Sequence, residues 1–409
     1  MAAAIVLDTV GGEEGRPHRR SLHEYEPGVC DSYLTTHYTY LAVALLMWGI
    51  FYMFWGLAIV CDDYFVTSLE DISEALSLTP DVAGATFMAA GSSAPELFTS
   101  MMGVFAVKND VGIGTIVGSA VFNLCCIIGG TALFTPDVLT IDWKPITRDS
   151  IFYAISIVMM LVVLRDGNIT LMEAVSLVAG YFVYVLAMYF NSTVMACITG
   201  GEKQEKLDDE EKEKEEDDED DEDAPIAKAI AKPLYLLFAV TIPDCSKPSN
   251  KKRYLLTFFM SIIWIGVLSY FMVTWASKLG CLWGVHPAVM GVTVLAAGTS
   301  VPDAIGSLLV ARDGQGDMAV SNAIGSNVFD ILLGLGLPWV LSCLIFNTGV
   351  PVDAENLLPM STILFATLLA VYIVTVLSGF RLTKCVGLIF FSFYFLFVAY
   401  TLMTEFGLL

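Results

Sequence analysis

The sequence predicts an all-α polytopic membrane protein, about ten transmembrane helices in two inverted five-helix repeats, and three observations carry that prediction. Hydrophobic residues make up 56% of the 409, and the mean hydropathy is +0.68. Several apolar runs reach the roughly 20 residues needed to cross a ~30 Å hydrocarbon core. A slide of 207 positions lays Gly84 to Glu96 (GATFMAAGSSAPE) on Gly291 to Asp303 (GVTVLAAGTSVPD) without a gap. The register persists: Ser100 meets Ser307, Asp110 meets Asp317, and GSAVFN (Gly118 to Asn123) meets GSNVFD (Gly325 to Asp330). An odd number of spans before a central acidic loop then turns the two copies upside down relative to each other, as in transporter folds built from duplicated halves.

Residues 1–37 form a polar N-terminal tail, expected on the non-cytoplasmic side. Its apolar piece AAAIVL is too short for a signal-peptide core. The first membrane half, 38–192, has spans expected near 38–61, 81–107, 111–134, 146–164 and 171–190, with the first copy at 84–130. After span 1, Asp62 and Asp63 read as solvated ends, and SLEDISEALSLTPD as a short amphipathic surface helix capped by Ser68. The acidic cytoplasmic loop, 193–250, concentrates 16 acids and 4 lysines between Glu202 and Asp223, and so carries most of the formal charge of -22. It reads as a solvated, disordered linker. A basic collar, KPSNKKR, leads into the second membrane half, 251–409. Its spans are expected near 254–278, 287–311, 317–346, 358–380 and 384–403, with the second copy at 291–337.

Placing the central loop in the cytoplasm puts 15 lysines and arginines inside and 6 outside, the asymmetry that orients membrane proteins. The nine cysteines form no CxxC or CxxH pattern, so no zinc site is indicated. Cys30, Cys281 and Cys343 fall on the non-cytoplasmic side, where one disulfide is open to any of their three pairings.

Glu96, Asp303 and Asp330 lie inside apolar spans. A carboxylate at that depth costs several kcal/mol unless protein, water or a cation meets it. No lysine, arginine or histidine occurs in the spans that bear them, which leaves cations as the partners. Pro95 and Pro302, with Gly91 and Gly298, are expected to break the helices there, so that carbonyls such as those of Ala89 and Ala296 join the hydroxyls of Ser92, Ser93, Thr299 and Ser300. This all-oxygen set suits calcium, with six to eight oxygens at ~2.3 to 2.6 Å, better than the tight octahedron of magnesium. Without histidine or cysteine nearby, zinc, copper and iron are disfavoured. Sodium can compete for the same oxygens, and competition at one site is the minimum requirement for exchange. The expected function is therefore a cation antiporter with its ion site where the copies meet, with no resident cofactor and no enzymatic chemistry.

Two further positions are asymmetric. Asn123 stands opposite Asp330, and Ala120 opposite Asn327. Three acids would balance calcium plus potassium, whereas calcium alone would leave one uncompensated. Asp110 and Asp317 read as helix caps or helix-end partners. A rival of another class, an intramembrane aspartyl protease, has only the Gly314-Gln315-Gly316-Asp317 motif in its favour and lacks a second aspartate to share a proton.

GATFMAAGSSAPELFTS, GTIVGSAVFN, TIPDCSKP, GVTVLAAGTSVPD and VARDGQGDMAVSNAIGSNVFDILLGLGLPW resemble the two alpha-repeats and flanks of the potassium-dependent sodium/calcium exchangers, within the calcium/cation antiporter superfamily. The resemblance covers nearly all of both membrane halves. It implies calcium carboxylates at Glu96 and Asp303, and sodium-coordinating positions at Ala89, Ser92, Ser93, Ser119, Asn123, Ala296, Thr299, Ser300 and Ser326. The potassium-linked acid falls on Asp330, where potassium-independent relatives carry asparagine. The implied cycle exchanges sodium for calcium plus potassium, with a potassium-independent sodium/calcium or a calcium/proton antiporter of the same fold as alternatives. The expected partners are inorganic cations and the bilayer, not nucleic acid. The plasma membrane is the expected residence, with an organelle membrane as the alternative.

Overall fold

The computed structural model describes residues 39–76, 89–135, 138–190, 225–245, 247, 250, 253–312 and 316–408. Among them, eight helices are long and apolar enough to cross a membrane: Thr39–Ser73, Val111–Phe134, Trp143–Leu164, Leu171–Tyr189, Tyr254–Trp283, Ala319–Phe346, Ala354–Leu377 and Lys384–Glu405. Two more crossings, 89–107 and 287–312, are each built from short helices joined end to end. These ten segments are spans 1 to 10 in chain order. The two interrupted ones, spans 2 and 7, are those that carry the duplicated acid motif.

Span 1 differs from expectation. It does not stop at Cys61 but continues through a π-helical stretch, Val60–Val66, into Thr67–Ala75. Asp62 and Asp63 are exposed but sit in mid-helix rather than at an end. Ser68 is not an N-cap; its hydroxyl donates to the Phe65 carbonyl at 2.7 Å, within the same helix. The cause is packing. Tyr64, Phe65 and Leu69 are buried in a cluster with Leu234, Phe238, Ile265 and Leu268, and this tertiary burial carries the helix past two aspartates. Leu234 and Phe238 belong to a helix, Pro225–Thr241, inside the segment read as acidic loop.

Span 1 packs along span 6, its counterpart in the second half. The larger core runs through spans 3 to 10 and includes Ile50 of span 1. Span 3 crosses span 7 at backbone contact. A Cβ on Gly114 would overlap the Ala288 carbonyl, one on Gly118 the Val292 carbonyl, and one on Gly291 the Val111 carbonyl. Helices approach this closely only through glycine.

Two antiparallel pairings fix the topology. Leu139–Thr140, after span 3, pairs with Arg381–Leu382, after span 9. Asn168–Ile169, after span 4, pairs with Val350–Pro351, after span 8. Odd connections thus meet odd ones and even meet even, as ten alternating crossings require. Moving each connection five spans along the chain exchanges the two pairings, so the repeats are inverted. Cys281 is disulfide-bonded. Cys343 is a buried free thiol, which excludes it from that bridge, and Cys30 lies outside the described residues.

Candidate ion site

Both interrupted spans break at the same repeat position. Ser93 takes φ -89°, ψ 8° and Ser300 takes φ -91°, ψ 0°, bridge-region geometry that ends one helix and starts the next. Pro95 and Pro302 follow two residues later and lack the N–H that would bond the carbonyls of Gly91 and Gly298. The glycines act less as breakers than as spacers. A Cβ on Gly298 would overlap the ring of Phe54, and one on Gly91 would stand 3.0 Å from Val66 Cγ2, so both let span 1 approach the breaks. Glu96 and Asp303 each fall in the first turn of the helix after its break. There the helix dipole favours negative charge.

The copies meet at these acids. The hydroxyl of Ser300, in the second copy, donates to Glu96 Oε1, in the first, over 3.4 Å. Glu96 is 1% exposed, and its Oε2 has no hydrogen-bond partner. The charges of Asp330 and Asp303 both act on it. Asp330 is also 1% exposed, and its Oδ1 is likewise without a partner. Ser93, across the interface, faces Asp330 without closing a hydrogen bond to it. Asp303 is half-buried, and exposed Asp62 of span 1 lies within its electrostatic reach. Among the described residues, none of the three carboxylates pairs with a lysine, arginine or histidine. Nor do any three histidine, cysteine or carboxylate side chains there form a metal cage of their own. A cation held here must draw on carbonyls, hydroxyls and amides as well.

The neutral groups expected at the site fall in repeat-related pairs. Ser119 and Ser326 each donate to the carbonyl three residues back, Ile116 at 3.1 Å and Ala323 at 3.4 Å, leaving lone pairs free to accept a cation. Thr299 donates to Leu295 at 3.1 Å. Ser92 ends its short helix, Ala296 opens its own and is buried, and Ala89 lies in the helix before the first break. Asn123 and Asp330 each begin a π-helical stretch, Asn123–Ile127 and Asp330–Leu335. Such stretches recur at functional sites because a widened turn re-aims side chains and carbonyls.

Two further residues lie near the acids: Asn327, which the sequence marks as an amide without a counterpart in the first copy, and Tyr153, which it does not mark. Asn327 accepts from Asn123 at 2.9 Å and donates to the Ala120 carbonyl at 3.4 Å, so one amide spans the interface where its repeat counterpart is alanine. The mismatch of Ala120 with Asn327 was the available signal. Tyr153, on span 4, reaches the same region from outside both copies. Asp110 accepts at Oδ2 from the Asp353 backbone N–H at 3.1 Å and makes no side-chain cap for its own helix. The side chain of Asp317 lies outside the described residues.

The sequence matches the family model "Sodium/calcium exchanger protein" over residues 46–190 and 253–403, which contain both breaks and all three acids. The chain belongs to the sodium/calcium exchanger protein family. Among its relatives, sodium/potassium/calcium exchanger 4 of Homo sapiens is 33% identical, covering 90% of this chain and 82% of that protein. Sodium/potassium/calcium exchanger 3 of Rattus norvegicus is 34% identical, covering 90% and 84%. A solved sodium-calcium exchanger, NCX_Mj, soaked with zero sodium and calcium, aligns at a TM-score of 0.49 and 20% identity over 88% of this chain. Membership rests on the sequence matches. An exchanger fold in a membrane follows from it, and the ten-span inverted architecture agrees.

Proposed function

We propose that this exchanger moves sodium in one direction against calcium plus potassium in the other through one shared site. Glu96 and Asp303 take the calcium, Asp330 takes the potassium, and the hydroxyls and carbonyls around Ser92, Ser93, Ser119, Asn123, Ala89, Ala296, Thr299, Ser300 and Ser326 complete the shells and receive sodium in turn. The observation that supports this reading most is that the charges of Asp303 and Asp330, in the second copy, reach buried Glu96 in the first, with no basic partner for any of the three among the described residues. Three negative charges balance one calcium and one potassium. They also hold an empty site in place, because bare acids cannot cross the low-dielectric barrier without cations. The names of the relatives, which include potassium, support the same assignment.

Alternating access follows from the inverted arrangement: rocking one set of spans against the other exposes the site to each side in turn. The central acidic loop is read as cytoplasmic from the distribution of lysine and arginine. The protein performs transport without bond chemistry.

The test is calcium uptake by reconstituted vesicles under a reversed sodium gradient. Glu96→Gln and Asp303→Asn are expected to abolish uptake, and normal uptake in either would remove it from the site. Asp330→Asn is expected to leave sodium/calcium exchange while removing the need for potassium.

A further inference from the structure

We infer that the hydroxyl of Tyr153 is a further group of the ion site, one that sets how tightly potassium is held beside Asp330. The inference rests on the reading of Asp330 as the potassium acid. Tyr153 lies on span 4, outside both duplicated copies, and is 0% exposed. Its hydroxyl has no hydrogen-bond partner, although it faces the Asn327 amide and the Asp330 carboxylate. A buried phenol is normally bonded, and one left unpaired signals a partner of another kind. One carboxylate oxygen of Asp330, Oδ1, is itself buried and unpaired. Two buried, unpaired oxygens thus belong to residues within electrostatic reach of each other, and Asn327 of the Asn123–Asn327 amide pair stands beside Tyr153.

Span 4 is held in the register this needs. Asp149, one turn before Tyr153, is 2% exposed and accepts from Ser321 on span 8 at 2.8 Å. The same span packs against the π-helical stretch that begins at Asp330. A neutral hydroxyl oxygen suits a monovalent cation in a site whose charge is already balanced, because it adds a ligand without adding a fourth negative charge. A purely packing role would be served as well by phenylalanine, which leaves no oxygen unpaired.

The experiment uses the full chain in vesicles, with calcium uptake measured under a reversed sodium gradient while potassium is titrated, for wild type and Tyr153→Phe. The potassium concentration at half-maximal uptake is expected to rise about five-fold, the loss of one neutral ligand, and by more than the half-saturation for calcium. A second reading needs no transport: the rise in melting temperature on replacing choline chloride by potassium chloride should shrink in the variant. A potassium-dependent wild type whose Tyr153→Phe variant keeps both potassium readings overturns this inference alone. A wild type with no potassium dependence overturns the assignment of Asp330 and this inference with it.

Discussion

His286 shows how one side chain can fasten a loop to the helix that leads into an ion site. Its Nδ1 accepts from the Ala288 N–H at 3.1 Å, so its Nε2 carries the proton toward Asp353 Oδ2, 3.3 Å away. The hydrogen bond from His286 holds the Asp353 carboxyl below the usual carboxylate range, against the opposing effect of burial. A carboxyl depressed in the folded state contributes stability that is fully present above its unfolded value, about pH 3.9, and is lost as pH falls through the lower folded value. Asp353→Asn should therefore lower the melting temperature at neutral pH and flatten its acid limb below about pH 4. Melting curves from pH 3 to 7 check this, and parallel curves for the two proteins would contradict it. The proposed site residues are legible in the sequence to different degrees. Glu96 and Asp330 stood out because buried acids lack an ordinary explanation. Tyr153 did not, because a tyrosine in an apolar span reads as packing and only the fold brings it to Asp330.

Helix breaks and helix crossings carry the site at the next scale. The breaks at Ser93 and Ser300 were readable from proline and its missing N–H. The crossings were not, because Gly114, Gly118 and Gly291 mark close approach only once the partner backbones are known. Gly118→Ala would press a methyl group into the Val292 carbonyl and the Ala296 Cβ. A cost of ~1–3 kcal/mol is expected from such overpacking. It should appear as a lower melting temperature in detergent, and an unchanged melting temperature would show that spans 3 and 7 can separate freely. Pro95→Ala restores an N–H for the Gly91 carbonyl and leaves every charge in place. Calcium uptake should slow in that variant. Span 1 was misjudged for a related reason: Asp62 and Asp63 mark an end in a local reading, and only the cluster of Tyr64, Phe65 and Leu69 with Leu234 and Phe238 explains the continuation.

For the whole molecule, the duplication and the inversion are two expressions of one arrangement. The gap-free slide of 207 positions announced two copies, and the exchange of the two β-pairings under the repeat relation shows them inverted. Connections after odd spans should therefore be reachable from one side and those after even spans from the other. Cysteines placed at Lys144 and Arg165 should label with an impermeant maleimide from opposite faces of sealed vesicles. Labelling of both from the same face would contradict the topology. The acidic run that dominates the net charge lies outside this framework, and composition alone speaks for it. The central claim is that three acids gathered from the two copies require cations of matching total charge. Its most direct test is calcium uptake into vesicles under a reversed sodium gradient, with and without potassium, for wild type and Asp330→Asn. Uptake that needs potassium in the wild type and no longer needs it in the variant is the predicted result; the same potassium dependence in both would contradict it.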